Sequence, residues 1–238
     1  GVYQYRLSVK GIKGEMTELN NAREFAVDVR EKSINVLLYG NMLDWNFALL
    51  KRKFGDDPTI KLTTVYRKSA ETLIIDGKRQ EGDEVFARGF PRDEEILGLY
   101  TIIVLGSFPS ELIPSDSFTA LKNYVEGGGN LVMLGGPNSF DKGGYYNTAI
   151  APLLPWKKST KGQGISAGIF PVMVPPEGES HGLLGATATI LKGVGSPVFH
   201  SVNRVGERRS GAMSLMNASI GSRVVPIVVL QPYGKGQV

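Results

Sequence analysis

Four short apolar runs constrain this chain most: Ile34–Tyr39, Ile60–Tyr66, Thr101–Leu105 and Leu131–Leu134. The first, third and fourth are continuous in apolar character, as strands buried on both faces are. Ile60–Tyr66 alternates instead. Helical spacing separates them. Leu43, Phe47, Leu50 and Phe54 follow the first run, and Phe118, Leu121 and Val125 precede the fourth. Asn41 stands where it would cap the first helix, with Asp44 three residues on as in a capping box and Gly55 at the C′ position. Ser115 would cap the second helix, which ends at Gly127. Between the second and third runs, Leu73–Ile75 and Glu84–Phe86 flank Asp76-Gly77-Lys78, the pattern of an excursion hairpin with a D-G turn. Phe90-Pro91 opens a short helical piece, Arg92–Leu97. Strands alternating with helices predict an α/β fold, a doubly wound sheet with helices on both faces.

The flanks read differently. Tyr3, Tyr5, Leu7 and Val9 alternate, as do Phe25, Val27 and Val29, around the turn-rich Gly14–Asn21. That predicts an N-terminal β-hairpin. A lone hairpin is marginal in water, so it is expected to belong to a larger sheet. Its Glu15…Leu19-Asn20-Asn21 ending resembles the last two strands of a bacterial Ig-like, CARDB-type module. Beyond Pro155-Trp156, Ile165–Val174, Pro197–Val202, Gly211–Asn217 and Arg223–Leu230 read as short strands. His181–Leu184 reads as a helix start, and residues 233–238 as a turn entering another strand. The expected division is residues 1–32, the hairpin, and residues 33–238, an α/β domain truncated at its C-terminus. The chain opens at Gly1 in strand-like sequence, as expected of a piece of a longer protein.

Composition narrows the chemistry. There is no Cys, which removes disulfides, thiolate metal sites and a thiol nucleophile together. His181 and His200 are the only imidazoles, and no cofactor or metal is indicated. Basic residues exceed acidic ones by 27 to 23, giving a net charge of +4, but they are dispersed. No basic–aromatic stacking pattern of a nucleic-acid binder is present. No apolar run approaches the roughly 18–20 residues that span a bilayer. Neither a G-x-G-x-x-G fingerprint nor a P-loop occurs.

Beyond the strands, longer stretches carry a family resemblance. They are VLLYG at Val36–Gly40, DWNFALLKRKFGDDPTIKL at Asp44–Leu62, YTIIVLGSF at Tyr100–Phe108, YVEGGGNLVMLGGPNSFDKGGY at Tyr124–Tyr145, LLPW at Leu153–Trp156 and QPYGKGQV at Gln231–Val238. The pattern resembles the class I glutamine amidotransferase-like fold, a flavodoxin-like architecture. It is most similar to the amidotransferase-like domains of large bacterial membrane proteins that also carry von Willebrand factor A and Ig-like modules. The resemblance implies a soluble domain of a membrane-anchored bacterial protein, on the extracytoplasmic side. Its implied partners are the parent's other domains and a protein or small-molecule ligand, with the membrane reached through the parent alone.

In active members of that fold, the strand equivalent to Leu131–Leu134 ends in a nucleophile elbow, where a Cys is activated by a His and a carboxylate. This chain has Leu134-Gly135-Gly136 there. The resemblance therefore implies a catalytically silent domain acting in recognition. Alternatives are a hydrolase of the same fold using Ser139 or His181, and a carbohydrate-recognition module. Ser139 is the nearby hydroxyl; its structural role would be to brace the Pro137-Asn138 turn. His181 would hydrogen-bond locally, and His200 reads as structural. Asn46 stands where related proteins often carry a carboxylate, which weakens an acid–base reading further. Ligands of open α/β sheets sit past the carboxyl ends of the strands. The expected crevice is lined by Asn41, Asp44, Ser107, Gly135, Gly136 and Asn138, with no triad assembled around Ser139.

Overall fold

Strand pairing organises the chain into two units, Gly1–Ser33 and Ile34–Val238. The computed structural model describes residues 2–11, 13–14, 21–28, 33–69, 72–78, 80, 82–160, 164–185, 187, 191, 197–221 and 223–238, without the side chains of residues 2 and 28.

In the first unit, β1 (Val2–Ser8) pairs antiparallel with β2 (Ala22–Asp28). The register sets Tyr3 opposite Val27 and Tyr5 opposite Phe25, and the last two rings stack at 5.8 Å. Period-2 alternation thus collects the apolar side chains on one face. Tyr3, Tyr5, Leu7, Phe25 and Val27 are all exposed there. The Glu15…Asn20 motif, Val29 and the polar joint at residues 31–32 lie outside the described residues.

The second unit is a mixed α/β body with a central, mostly parallel sheet. Its strands are β3 (Ile34–Asn41), β4 (Ile60–Arg67), β5 (Leu73–Gly77), β6 (Ile102–Leu105), β7 (Asn130–Met133), β12 (Pro232–Tyr233) and β13 (Gly236–Gln237), in the order β12-β13-β7-β6-β3-β4-β5. From β13 to β4 the pairing is parallel; β12 and β5 are antiparallel edges. The four apolar runs are the adjacent parallel strands at its centre. On one face Val36, Leu38, Leu62 and Val104 pack with Phe47, Leu50 and Phe54 of α1 (Trp45–Gly55). On the other, Leu37, Tyr39, Val65, Ile103, Leu105 and Leu131 pack with residues of α2 (Glu94–Gly98) and α3 (Ser115–Glu126). Burial of each large side chain contributes roughly 1.5–3 kcal/mol.

Inserted between β7 and β12 is a second, antiparallel sheet, ordered β11-β10-β8-β9. It comprises β8 (Ile165–Met173), β9 (Val198–Asn203), β10 (Met213–Ile220) and β11 (Arg223–Leu230), with the short helix α4 (Pro176–Glu179) after β8. Phe170, Val202 and Ala218 form its buried cluster.

Several local expectations are corrected. Leu131 is buried but Val132 is 42% exposed, so β7 is not covered on both faces. The buried residues beneath α1 come from β3, β4 and β6, and none from β7. Leu73–Ile75 does not pair with Glu84–Phe86. β5 adds to the edge of β4, and Asp83–Arg88 is a 3-10 turn anchored by the buried Asp83. Asn41 does not cap α1: it ends β3, its Oδ1 accepts from Leu43 N–H, and Asp44 is the N-cap. Leu43 accordingly lies before the helix and is 92% exposed. Gly55 is inside α1, with Asp56 as the C-cap. Pro114, not Ser115, precedes the first turn of α3. His181 itself lies in the turn after α4, ahead of the helical residues 187 and 191.

Candidate functional site

The carboxyl ends of β3 and β6 approach closely because each carries a glycine there, Gly40 next to last in β3 and Gly106 just past β6. A Cβ on Gly40 would lie 2.8 Å from the Phe47 ring and 3.3 Å from Gly106 Cα. This draws together the turns that leave the two strands. Asp44 receives the N–H of Asn46 on Oδ1 at 2.9 Å and that of Ser107 on Oδ2 at 3.3 Å. Asn41 joins the same turn, since its carbonyl accepts from Asp44 N–H at 3.0 Å.

The loop after β7 closes over this point. Ser107 Oγ accepts from Asn138 N–H at 2.9 Å, and a Cβ on Gly136 would come within 2.5 Å of Ser107 Cβ. The residue types at 107 and 136 are therefore matched: a small hydroxyl against no side chain. Asn41, Asp44, Ser107, Gly136, Asn138 and Ser139 gather in one contact set. Gly135 borders it through Asn203, whose Oδ1 would stand 2.7 Å from a Cβ there.

Ser139 is buried, and its hydroxyl donates to the Leu134 carbonyl at 2.7 Å. Phe140, next in sequence, has a φ of 52°, in the left-handed region that costs a bulky side chain energy. Its ring stands edge-on to Trp156 at 4.9 Å, which holds it there. His181 is elsewhere, in the turn after α4, where its Nδ1 accepts from Leu183 N–H at 3.2 Å. His200 is exposed on β9. No hydrogen bond joins either imidazole to Ser139. Among the described residues, no group of three or more His, Asp or Glu is placed to hold a metal ion. No described helix is long and apolar enough to cross a membrane.

Among solved structures the chain is similar to a cytoplasmic protein from Salmonella typhimurium, with a TM-score of 0.51 and 19% identity over 85% of this chain and 84% of that one. That is a likeness of fold. It also aligns with a ThuA-like protein from Bacteroides uniformis, at a TM-score of 0.47 and 13% identity over 88% of this chain and 81% of that one. No protein-family model matches the chain, and no curated protein matches it.

Two contributors to this end of the sheet escaped the sequence reading. Asn203, at the end of β9, hydrogen-bonds the backbone of Gly136 from 67 residues away. Arg67 ends β4 opposite Asn41 and sets its guanidinium 5.8 Å from the centre of the Phe108 ring. Its charge reaches the Tyr39 phenol. Burial pushes that phenol up to about 12, and the Arg67 charge partly opposes the shift. The Tyr39 hydroxyl is fully buried and has no hydrogen-bond partner among the described residues. Sequence periodicity marked Tyr39 only as a strand residue and did not mark Arg67.

Proposed function

We propose that residues 34–238 form a catalytically silent, amidotransferase-like recognition domain of doubly wound, flavodoxin-like topology. In support of the topology, the parallel strands run β4-β3-β6-β7-β13 across the sheet. That is the 2-1-3-4-5 order of flavodoxin-like folds, with the change of direction between β3 and β6. The observation that carries the silent reading is the hydrogen bond from Ser139 Oγ to the Leu134 carbonyl. A serine nucleophile needs a base to take its proton, and this hydroxyl donates its hydrogen bond to a backbone carbonyl instead. Gly135 and Gly136 supply no reacting group at the elbow. Asp44, Ser107 and Asn138 are tied into the loop framework rather than into a relay.

In this reading the domain serves a larger, membrane-anchored protein by binding a small molecule or a protein partner. Its own crevice supplies shape and hydrogen bonds, not a reaction. The test is labelling by a fluorophosphonate probe, with glutaminase and p-nitrophenyl ester assays on the wild type and Ser139→Ala. We expect no adduct at Ser139 and no turnover above that of the variant. An adduct at Ser139, with turnover abolished by Ser139→Ala, would replace this reading with a serine hydrolase.

A further inference from the structure

Helix α1 carries two apolar stripes, and the fold uses one of them. Phe47, Leu50 and Phe54 lie on the sheet. Trp45 and Leu49, four residues apart and so neighbours on the opposite side of the helix, are 80% and 37% exposed. Leu43, in the turn just before, is more exposed still. A helix that is apolar on both sides is built for neighbours on both sides. These three side chains leave roughly 450 Å² open to water, within the range of the largest apolar patch on a typical monomer.

The same outer side continues into two cations. Arg52 stands seven residues after Trp45 and Lys53 four after Leu49, and both are exposed. Among the described residues neither forms an ion pair. Lys51 turns the other way, to Asp76 at 2.6 Å and over the Tyr66 ring at 4.9 Å. The nearby carboxylates are engaged or lie past the stripe. Asp44 accepts from the N–H groups of Asn46 and Ser107, Asp57 accepts from Thr59, and Asp56 follows the last turn as the C-cap. The outer side of α1 is thus aromatic and apolar in its first half and cationic in its second.

That polarity selects the occupant. A second copy laid antiparallel on α1, about a two-fold axis near Leu49, sets each Trp45 against Arg52 of the other copy and brings the two Leu49 side chains together. A two-fold contact makes one complementary pair twice, and a guanidinium over an indole is a favourable cation–π pair. A parallel arrangement would bring Arg52 to Arg52 and Lys53 to Lys53. Positions 45 and 52 are about 10 Å apart along the axis, so two turns of each helix overlap.

We propose that the outer side of α1 is a self-association surface, on which two copies of this chain pack antiparallel with Trp45 on Arg52 in both directions. The area sets the strength: two copies bury on the order of 900 Å² in all, below the roughly 1,200 Å² of standard interfaces, as weak and transient contacts do. The inference is independent of the recognition reading.

The experiment is sedimentation velocity of the whole chain from about 10 μM to about 1 mM, with half-association expected on the order of 100 μM. Trp45→Lys and Arg52→Glu should each weaken association at least tenfold, at exposed positions that leave the unfolding midpoint unchanged. Mixed in equal amounts, the two variants should associate again, because one contact then pairs opposite charges and the other is the wild-type pair. A wild type that stays monomeric throughout, full association in a folded Trp45→Lys or Arg52→Glu protein, or no recovery on mixing would each overturn the proposal. So would a monomer that binds phosphatidylglycerol vesicles in a Trp45-dependent way, which would assign the stripe to a lipid surface.

Discussion

Asn203 clasps the backbone of Gly136 with both ends of its side-chain amide: Nδ2 donates to the Gly136 carbonyl at 2.8 Å, and Oδ1 accepts from the Gly136 N–H at 2.8 Å. The pair copies the exchange of bonds between two strands. It ties the last residue of β9, in the antiparallel sheet, to the loop beyond β7 in the parallel one.

Breaking that clasp should loosen the loop. Asn203→Ala removes two part-buried hydrogen bonds and should cost about 1–3 kcal/mol. Asn203→Asp should cost more, because a carboxylate oxygen then faces the Gly136 carbonyl where a donor stood. Urea unfolding midpoints of the two variants check the order. An Asp variant as stable as wild type would refute the clasp.

The one-sided cover of β7 separates two neighbouring positions. Leu131 is 1% exposed and Val132 42%. Leu131→Ala should cost roughly 2–5 kcal/mol from lost burial and the cavity left behind. Val132→Thr should change stability by no more than about 0.5 kcal/mol, the range of ordinary surface substitutions. Thermal and urea unfolding of the two proteins decide it.

Two buried phenols near each other should respond oppositely to the same substitution. Tyr145 donates to the Phe108 carbonyl at 2.6 Å, so Tyr145→Phe should cost about 1 kcal/mol or more. Tyr39 has a buried hydroxyl with no partner among the described residues, so Tyr39→Phe should be neutral or stabilising. In alkali, both Tyr39 and Tyr124 are raised to about 12, chiefly by burial. The folded state therefore favours their neutral forms. That stability is complete below the ordinary tyrosine value near 10 and is lost as pH rises from there through about 12. Unfolding midpoints should hold at pH 8–9 and fall between pH 10 and 12, less steeply in Tyr39→Phe.

Asp83 is a buried carboxylate at the centre of a structural network. It accepts from the Tyr100 hydroxyl, from Gln80 N–H at 2.6 Å and from Thr63 Oγ1 at 3.3 Å. The Tyr100 phenol is held far above its usual value by burial first and by this bond second. Asp83→Asn turns one acceptor oxygen into a donor facing other donors. It should cost about 2–4 kcal/mol, with Tyr100→Phe costing less, as measured by urea unfolding.

The sequence made part of the candidate site legible. Asn41, Asp44, Ser107, Gly136 and Asn138 were named from where apolar runs stop, and the chain brings them into contact because parallel strands deliver their ends to one edge. Their individual duties were less readable. Whether Asn41 or Asp44 caps α1 depends on how far β3 continues before it turns, and β3 runs through Asn41 because it pairs with Arg67 at the end of β4. The excursion hairpin failed for a similar reason. Leu73–Ile75 had two possible edges to join, and the long, well-paired edge of β4 offered more hydrogen bonds than residues 84–86.

By itself the sequence determined the four central parallel strands, the buried faces of α1 from Phe47 onward and of α3, and the absence of any thiol chemistry. Those properties are written in local periodicity and residue type, since each side chain's burial follows from its place in a period of 2 or 3.6. Tertiary structure alone decided the Asn203–Gly136 clasp, the direction of the Ser139 hydroxyl, the Asp83–Tyr100 bond and the stacking of Arg67 on Phe108. Each depends on one polar or charged group meeting another element's atom at a fixed distance. No repeating pattern in the chain records such a meeting, because a hydrogen bond constrains two positions and leaves the residues between them free.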